Sequence, residues 1–238
     1  MSWFEQTGSE HAVAIVTGAS RGLGFAVARE LLQAGLRVIV DARDPAALAS
    51  ARDDLARLGE VVAIPGDVAD SDHAHALVAA ADAFGRLDLL VNNASTLGEV
   101  PLPRVDQLSR ATFDRLFAVN TFAPVHLMQH ALRLMLRAPS TGSGQGPATI
   151  VNVTSDAAHE AYPRWGGYGA SKAALEHLSR VLAAELDGSA VRVMLFDPGD
   201  MDTQMHRDAV PDADPTTLRD PADAARALLR VVSEMVPA

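Results

Sequence analysis

The stretch Ala12-Val13-Ala14-Ile15-Val16-Thr17-Gly18-Ala19-Ser20-Arg21-Gly22-Leu23-Gly24-Phe25-Ala26-Val27-Ala28-Arg29-Glu30-Leu31 runs from an unbroken apolar segment, through three glycines, into a helical pattern. A short apolar run without alternation reads as a strand buried on both faces. A glycine turn that opens straight into a helix brings backbone N–H groups and the helix dipole to one point, where they suit a pyrophosphate. Gly18 permits the tight turn, Gly22 a close approach of ligand, and Gly24 close packing of helix on sheet. The spacing is G-x-x-x-G-x-G rather than G-x-G-x-x-G, and its position at a first strand–helix junction gives it meaning.

The same alternation continues outward from this unit. Strands are predicted at Ala12–Thr17, Arg37–Asp41, Val61–Pro65, Leu87–Asn92, Ala148–Val153 and Val191–Phe196. Helices are predicted near Gly22–Ala34, Pro45–Leu58, Ser71–Phe84, Thr112–Leu136, Tyr168–Leu186 and Pro221–Glu234. Gly35, Gly59, Gly85 and Gly188 stand where helices should stop. Strand–helix alternation implies right-handed crossovers and a parallel sheet covered on both faces. The reading is one doubly wound α/β domain over residues 1–238, with 1–11 as an N-terminal extension and Ser140–Pro147 as a Gly/Ser-rich surface loop.

Composition narrows the function. The 238 residues are 48% hydrophobic and carry a net charge of −10, with mean hydropathy +0.09. Such an acidic chain is poorly suited to nucleic acid or an anionic membrane surface. The absence of cysteine removes disulfides and thiolate chemistry. Met1–His11 has neither a basic residue nor an apolar core, so no signal peptide is expected there. No run of about 18 uncharged apolar residues suggests a membrane span. A cytoplasmic location is expected.

Of the 20 Lys and Arg residues, the one lysine is Lys172, four residues after Tyr168 in Tyr168-Gly169-Ala170-Ser171-Lys172. Positions four apart share a helix face, which puts a compact ammonium beside the phenol. Such a charge is expected to lower the tyrosine's pKa and make it a general acid/base. Thirteen residues upstream, Ser155 lies just past the fifth strand, on the sheet edge where α/β proteins bind ligands. His73 with His75, and His126 with His130, lack a third ligand, so no metal site is expected. Tyr162 and Trp165 lie where a substrate pocket would open, and either could stack on a substrate or pack the loop. Asp200–His206 could form a flexible lid or an ordinary short helix.

Together the glycine loop, Asn92-Asn93-Ala94, Asn120, Ser155, Tyr168, Lys172 and Pro198-Gly199 resemble the short-chain dehydrogenase/reductase family over roughly residues 12–203. The resemblance implies a Rossmann-like fold and an oxidoreductase that moves hydride between a nicotinamide and a carbonyl or alcohol carbon. It implies Tyr168 as acid/base, Ser155 as the residue that orients the substrate oxygen, Lys172 on the nicotinamide ribose, and Asn120 as the anchor of a proton-relay water. Implied cofactor contacts are Gly18, Ser20, Arg21, Gly22, Leu23, Gly24, Arg43, Asp67, Val68, Asn92, Ala94, Tyr168, Lys172, Pro198, Gly199, Met201 and Thr203.

The chain departs from the family in two places. The usual glycine after Asn-Asn-Ala is replaced by Ser95, and no seventh strand with a glycine-rich tail follows Ala225–Arg230, so six strands are expected. The cofactor expected is NADP(H), with NAD(H) as the alternative. Arg21 and Arg43 match positions where NADP-dependent relatives are basic, and the discriminating acid of NAD-dependent relatives falls at Ala42, one place past Asp41. The partner expected is a small carbonyl or alcohol. A homodimer is expected, built on Thr112–Leu136 and Tyr168–Leu186, whose apolar residues spread further than one sheet can cover. A catalytically silent dinucleotide-binding regulator is the competing reading, and an epimerase or dehydratase a third.

Overall fold

The structure, a computed structural model, describes residues 12–137 and 148–234. The N-terminal extension and the Ser140–Pro147 loop of the sequence reading lie outside the described residues. In chain order the elements are β1 (Val13–Val16), α1 (Gly22–Gln33), β2 (Arg37–Ala42), α2 (Pro45–Leu55), β3 (Val61–Pro65), α3 (Ser71–Asp82), β4 (Leu89–Asn92), α4 (Arg110–Phe117), α5 (Ala123–Met135), β5 (Ala148–Val153), α6 (Gly166–Glu185), β6 (Val191–Phe196), α7 (Gln204–Ala209) and α8 (Pro221–Glu234). The six strands form one sheet in the order β3-β2-β1-β4-β5-β6. Every pairing is parallel.

Side chains alternate across the pleat, so each strand feeds two cores. Ala14, Val16, Val38, Val40, Val91 and Val151 turn to one face, where α1, α2 and α8 cover them with Leu31, Leu48 and Leu228. Val13, Ile15, Ile39, Leu90 and Ile150 turn to the other, under Leu77 of α3 and Leu127, Ala131 and Leu134 of α5. Two-sided burial explains why the strands read as continuous apolar runs. The strand order reverses between β1 and β4, and ligands of such sheets lie at the carboxyl ends beside that reversal.

Several boundaries differ from the sequence reading. Thr112–Leu136 is not one regular helix, because a π turn, Ala118–Phe122, stands between α4 and α5. One inserted residue shifts the helical phase while the apolar pattern continues on both sides. Helix α2 ends at Leu55, before the expected stop at Gly59. Gly35, Gly85 and Gly188 take positive φ, as their positions after helices required. The predicted lid segment contains the ordinary short helix α7, capped by Thr203 Oγ1 on His206 N at 3.2 Å. Among the described residues no helix is long and apolar enough to cross a membrane.

Candidate active site

The glycine loop is held from three sides. Gly18 has φ +67°, and a Cβ there would lie 2.9 Å from Ala94 Cα. A Cβ on Gly24 would lie 2.5 Å from both Asn93 Nδ2 and Gly18 O. Only glycine allows such contacts. Asn93, which the sequence reading passed over, donates from Nδ2 to Thr17 O at 2.8 Å and Gly18 O at 3.2 Å. Thr17 Oγ1 in turn accepts from the N–H groups of Asn93 and Ala94, each at 3.0 Å.

Asp41 supplies the third side. Its carboxylate is fully buried; Oδ1 accepts from Gly18 N at 2.6 Å and Oδ2 meets His73 Nε2 at 2.8 Å. Burial raises its pKa, while His73 and the Gly18 N–H oppose that rise. Asp41 and His73 are therefore loop supports, tied to each other across 32 residues of sequence.

Helix α1 starts without a side-chain cap, since its N-cap residue is Arg21 and its first turn holds no acid. By contrast α2, α3 and α4 are capped by Asp44, Asp70 and Ser109. The first N–H groups of a helix need partners, and those of α1 point into the loop with none from a capping side chain. Ser20 is half-buried, Leu23 is buried, and Arg21 and Arg43 are exposed at the loop and beyond β2.

At the adjoining strand ends, Asn92 is buried and donates to Asn152 Oδ1 at 2.7 Å, which ties β4 to β5. Asn120 sits in the π turn with no exposure. Asp67 accepts from Ala69 N at 3.0 Å and Arg115 at 2.7 Å, and these contacts hold its carboxyl below the usual range against the opposing effect of burial. Val68 lines a small cleft with Thr17, Asn92, Ala94 and His73.

A larger cleft, with about 640 Å³ of open space, lies beside the loop. Leu23, Ser95, Ser155, Tyr168, Lys172, Pro198, Gly199, Met201 and Thr203 all line it, with Leu97, Trp165 and Met205 as its apolar wall. Ser95 and Ser155 share the lining of this cleft with Tyr168, and their hydroxyls act to lower the phenol's pKa. Ser155 Oγ also donates to Asp156 Oδ1 at 3.1 Å and accepts from Ala157 N at 3.2 Å. Trp165 meets Tyr168 edge-on, with ring centroids 5.5 Å apart. Tyr162 is exposed and donates to Asp156 Oδ2 at 2.9 Å, so of the two aromatic candidates only Trp165 reaches the cleft.

Lys172 is buried and donates to Val153 O at 2.8 Å. Its Nζ stands 5.8 Å from the Tyr168 ring centroid. The expected lowering of the tyrosine's pKa does not occur. Burial pushes Tyr168 up to about 12, despite the two serine hydroxyls. Burial also pulls Lys172 down to about 8, against the pull of Asp197. The cleft thus holds a neutral phenol over the ordinary pH range, and a phenol of that kind is a proton donor.

Comparison with known proteins gives this geometry its family. A family model described as short chain dehydrogenase matches residues 12–214. The chain belongs to the short-chain dehydrogenase/reductase family. Among its relatives is a rhamnolipids biosynthesis 3-oxoacyl-[acyl-carrier-protein] reductase of Pseudomonas aeruginosa, 36% identical over 197 residues, covering 82% of this chain and 75% of the relative. A D-erythrulose reductase of Gallus gallus is 37% identical over 195 residues, covering 82% and 73%. The solved Pseudomonas aeruginosa RhlG/NADP active-site complex superposes with TM-score 0.81 at 31% identity, covering 93% of this chain and 89% of that one. An alcohol dehydrogenase of Thermococcus sibiricus complexed with 5-hydroxy-NADP gives 0.81 at 26% identity, covering 95% and 91%.

Like other short-chain dehydrogenases, the chain is an oxidoreductase whose fold binds a nicotinamide dinucleotide. Its residues fit such a group: the α1 N-terminus has no side-chain cap, two glycines leave no room for a Cβ, and the cleft runs from that loop to Tyr168 and Lys172.

Proposed function

We propose that this protein is an NADP(H)-dependent oxidoreductase that interconverts a small carbonyl compound and its secondary alcohol, with Tyr168 as general acid/base. The observation that carries the reading is the meeting of Tyr168, Ser155 and Lys172 in one cleft with the glycine loop and the Pro198–Thr203 segment. Bound there, the nicotinamide supplies or accepts the hydride. The chain's own groups do the rest. Tyr168, held neutral by burial, gives its proton to the substrate oxygen in reduction and recovers it in oxidation. Ser155, in the same cleft lining, orients that oxygen. Lys172 brings the only charge of its sign in the cleft's lining other than any carried by His206, and would hold the ribose hydroxyls. Asn120 acts by position, because its side chain is occupied by neighbours and the π turn breaks the regular carbonyl ladder beside it. Leu97, Trp165 and Met205 favour an uncharged substrate with an apolar arm.

The preference for NADP(H) rests on Asp41. A carboxylate that reads a ribose 2′-hydroxyl must be free to accept from it. Both Asp41 oxygens are engaged, one by Gly18 N and one by His73. Arg21 and Arg43 remain exposed and available to a 2′-phosphate. A homodimer through α4–α5 and α6 completes the proposal. Phe113 on α4, Phe122 in the π turn, and Leu178 and Val181 on α6 are exposed large apolar side chains, and burying them against a second copy removes them from water.

The test is a panel of ketones, aldehydes and alcohols with each cofactor, followed by reduced-nicotinamide absorbance. Tyr168→Phe should reduce turnover by about 100-fold or more while cofactor binding stays near normal. A Phe variant that keeps more than about a tenth of the wild-type rate would remove the acid/base assignment.

A further inference from the structure

Glu176 is 2% exposed, and the chemistry proposed above does not use it. It stands on α6, about one helical turn past Lys172 and two past Tyr168. Its Oε1 accepts from Thr154 Oγ1 at 2.7 Å. Its Oε2 accepts from Arg180 Nη2 at 2.6 Å and lies 3.0 Å from His159 Nε2. The Arg180 and His159 side chains are more than half exposed, so they reach inward from the surface to a carboxylate that solvent does not touch. Burying a carboxylate costs more than burying an apolar side chain of its size, and this one is held by three neighbours.

Two of those neighbours flank Ser155 in the chain. Thr154 precedes it, and His159 follows the short turn, Asp156–Ala158, that Ser155 caps. Helix α6 holds the end of β5 residue by residue. Lys172 donates to Val153 O at 2.8 Å, and one turn later Glu176 takes the Thr154 hydroxyl. Gly169 marks a close approach on the other side of Ser155, because a Cβ there would run into Ala157 O. Thr154, Ser155 and Tyr168 all line the active-site cleft. Ser155 thus lies between points anchored on the helix that carries Tyr168.

We propose that Glu176 is a positioning residue: its buried carboxylate clamps residues 154–159 to α6 and thereby fixes Ser155 against Tyr168. The inference rests on Ser155 and Tyr168 acting together on the substrate oxygen. A carboxylate suits the task because all three of its neighbours can donate, and charge-assisted hydrogen bonds are the stronger kind. Glutamine keeps the shape but offers one oxygen and one NH2. If that oxygen stays with Thr154, the NH2 opposes the Arg180 guanidinium. If it turns to Arg180, the Thr154 proton loses its acceptor. Either way one side of the clamp opens.

The experiment is a double-mutant cycle of Glu176→Gln and Ser155→Ala. It reads kcat with a carbonyl substrate found by the panel above, and the Kd of reduced cofactor by fluorescence. Glu176→Gln alone should lower kcat about tenfold, as a small misplacement of a substrate-orienting group does, with the Kd within about twofold of wild type. In the Ser155→Ala background the same substitution should change kcat less than about twofold, because the residue it places is gone. A general loosening of the fold would lower kcat by the same factor in both backgrounds. That result, or a wild-type kcat in Glu176→Gln, would overturn the inference. Thr154→Val removes one link at nearly constant shape and should reproduce the loss of about tenfold, whereas Thr154→Ser keeps the hydroxyl and should stay within about twofold of wild type. This pair decides the matter if Glu176→Gln does not fold. A panel without activity, or a wild-type rate in Ser155→Ala, would instead overturn the catalytic reading of the cleft, and this inference with it.

Discussion

Replacing Lys172 with methionine keeps a long apolar stem and removes the ammonium from a site with 2% exposure. Burial takes that group from 10.5 down to about 8, so holding it charged costs the fold about 3 kcal/mol at neutral pH. Loss of its hydrogen bond to Val153 O returns about 1.5 kcal/mol of that. Lys172→Met should then be about 1–2 kcal/mol more stable than wild type near neutrality, or several degrees higher in Tm for a chain this long. The sign with pH follows from linkage. Below about 8 the folded and unfolded lysines are both charged and the cost is complete. As pH rises from about 8 to 10.5 the folded lysine loses its proton first, the unfolded state binds more protons, and wild-type stability climbs. The methionine variant has no such rise. Tyr168, at about 12 when folded against 10.0 when free, weakens the fold as pH approaches and passes 10, but both proteins carry it, so it cancels in the comparison. Urea unfolding at several pH values in that window measures the effect. Parallel pH dependences for the two proteins would refute the buried-charge reasoning, whatever their absolute stabilities.

Other outcomes follow from the same geometry. Asp41→Asn should weaken NADP(H) and NAD(H) by similar factors, about tenfold each, because it loosens the Gly18 support rather than a ribose contact; a selective change in NAD(H) binding would make Asp41 the reader. Arg43→Ala should lower NADP(H) affinity by about tenfold and leave NAD(H) unchanged in fluorescence titrations. Gly24→Ala puts a methyl 2.5 Å from Asn93 Nδ2 and Gly18 O, and thermal unfolding should show a loss of about 2 kcal/mol together with weaker cofactor binding. Light scattering should give a dimer mass, and Phe122→Asp, which charges a side chain now 68% exposed, should give a monomer of unchanged circular dichroism.

The sheet was legible because burial on both faces writes itself as unbroken runs such as Ala12–Val16 and Ala148–Val153, and all six strands fall where those runs do. The proposed catalytic pair was legible because Tyr168 and Lys172 are local, four apart on one helix. What the sequence concealed is non-local. His73 finds Asp41 across 32 positions, and nothing near either residue marks it. The π turn at Asn120 adds one residue to a helix whose apolar pattern is otherwise regular, so periodicity passes over it. The balance at Tyr168 was misjudged for a related reason. Charge proximity can be inferred from spacing, whereas the depth of burial that outweighs it is a property of the assembled cleft.

The bare start of α1 has a thermodynamic consequence. A helix capped by its own side chain carries a partner for one of its first N–H groups, but α1 has no such cap, and an anion bound at its start would supply that partner from outside. Whatever binds there and not to the unfolded chain adds RT ln(1 + [L]/Kd) to stability, about 2.7 kcal/mol at a hundredfold excess over Kd. Survival of this fold against unfolding and proteolysis would thus track the dinucleotide supply around it, so that the chain's abundance would answer to that supply.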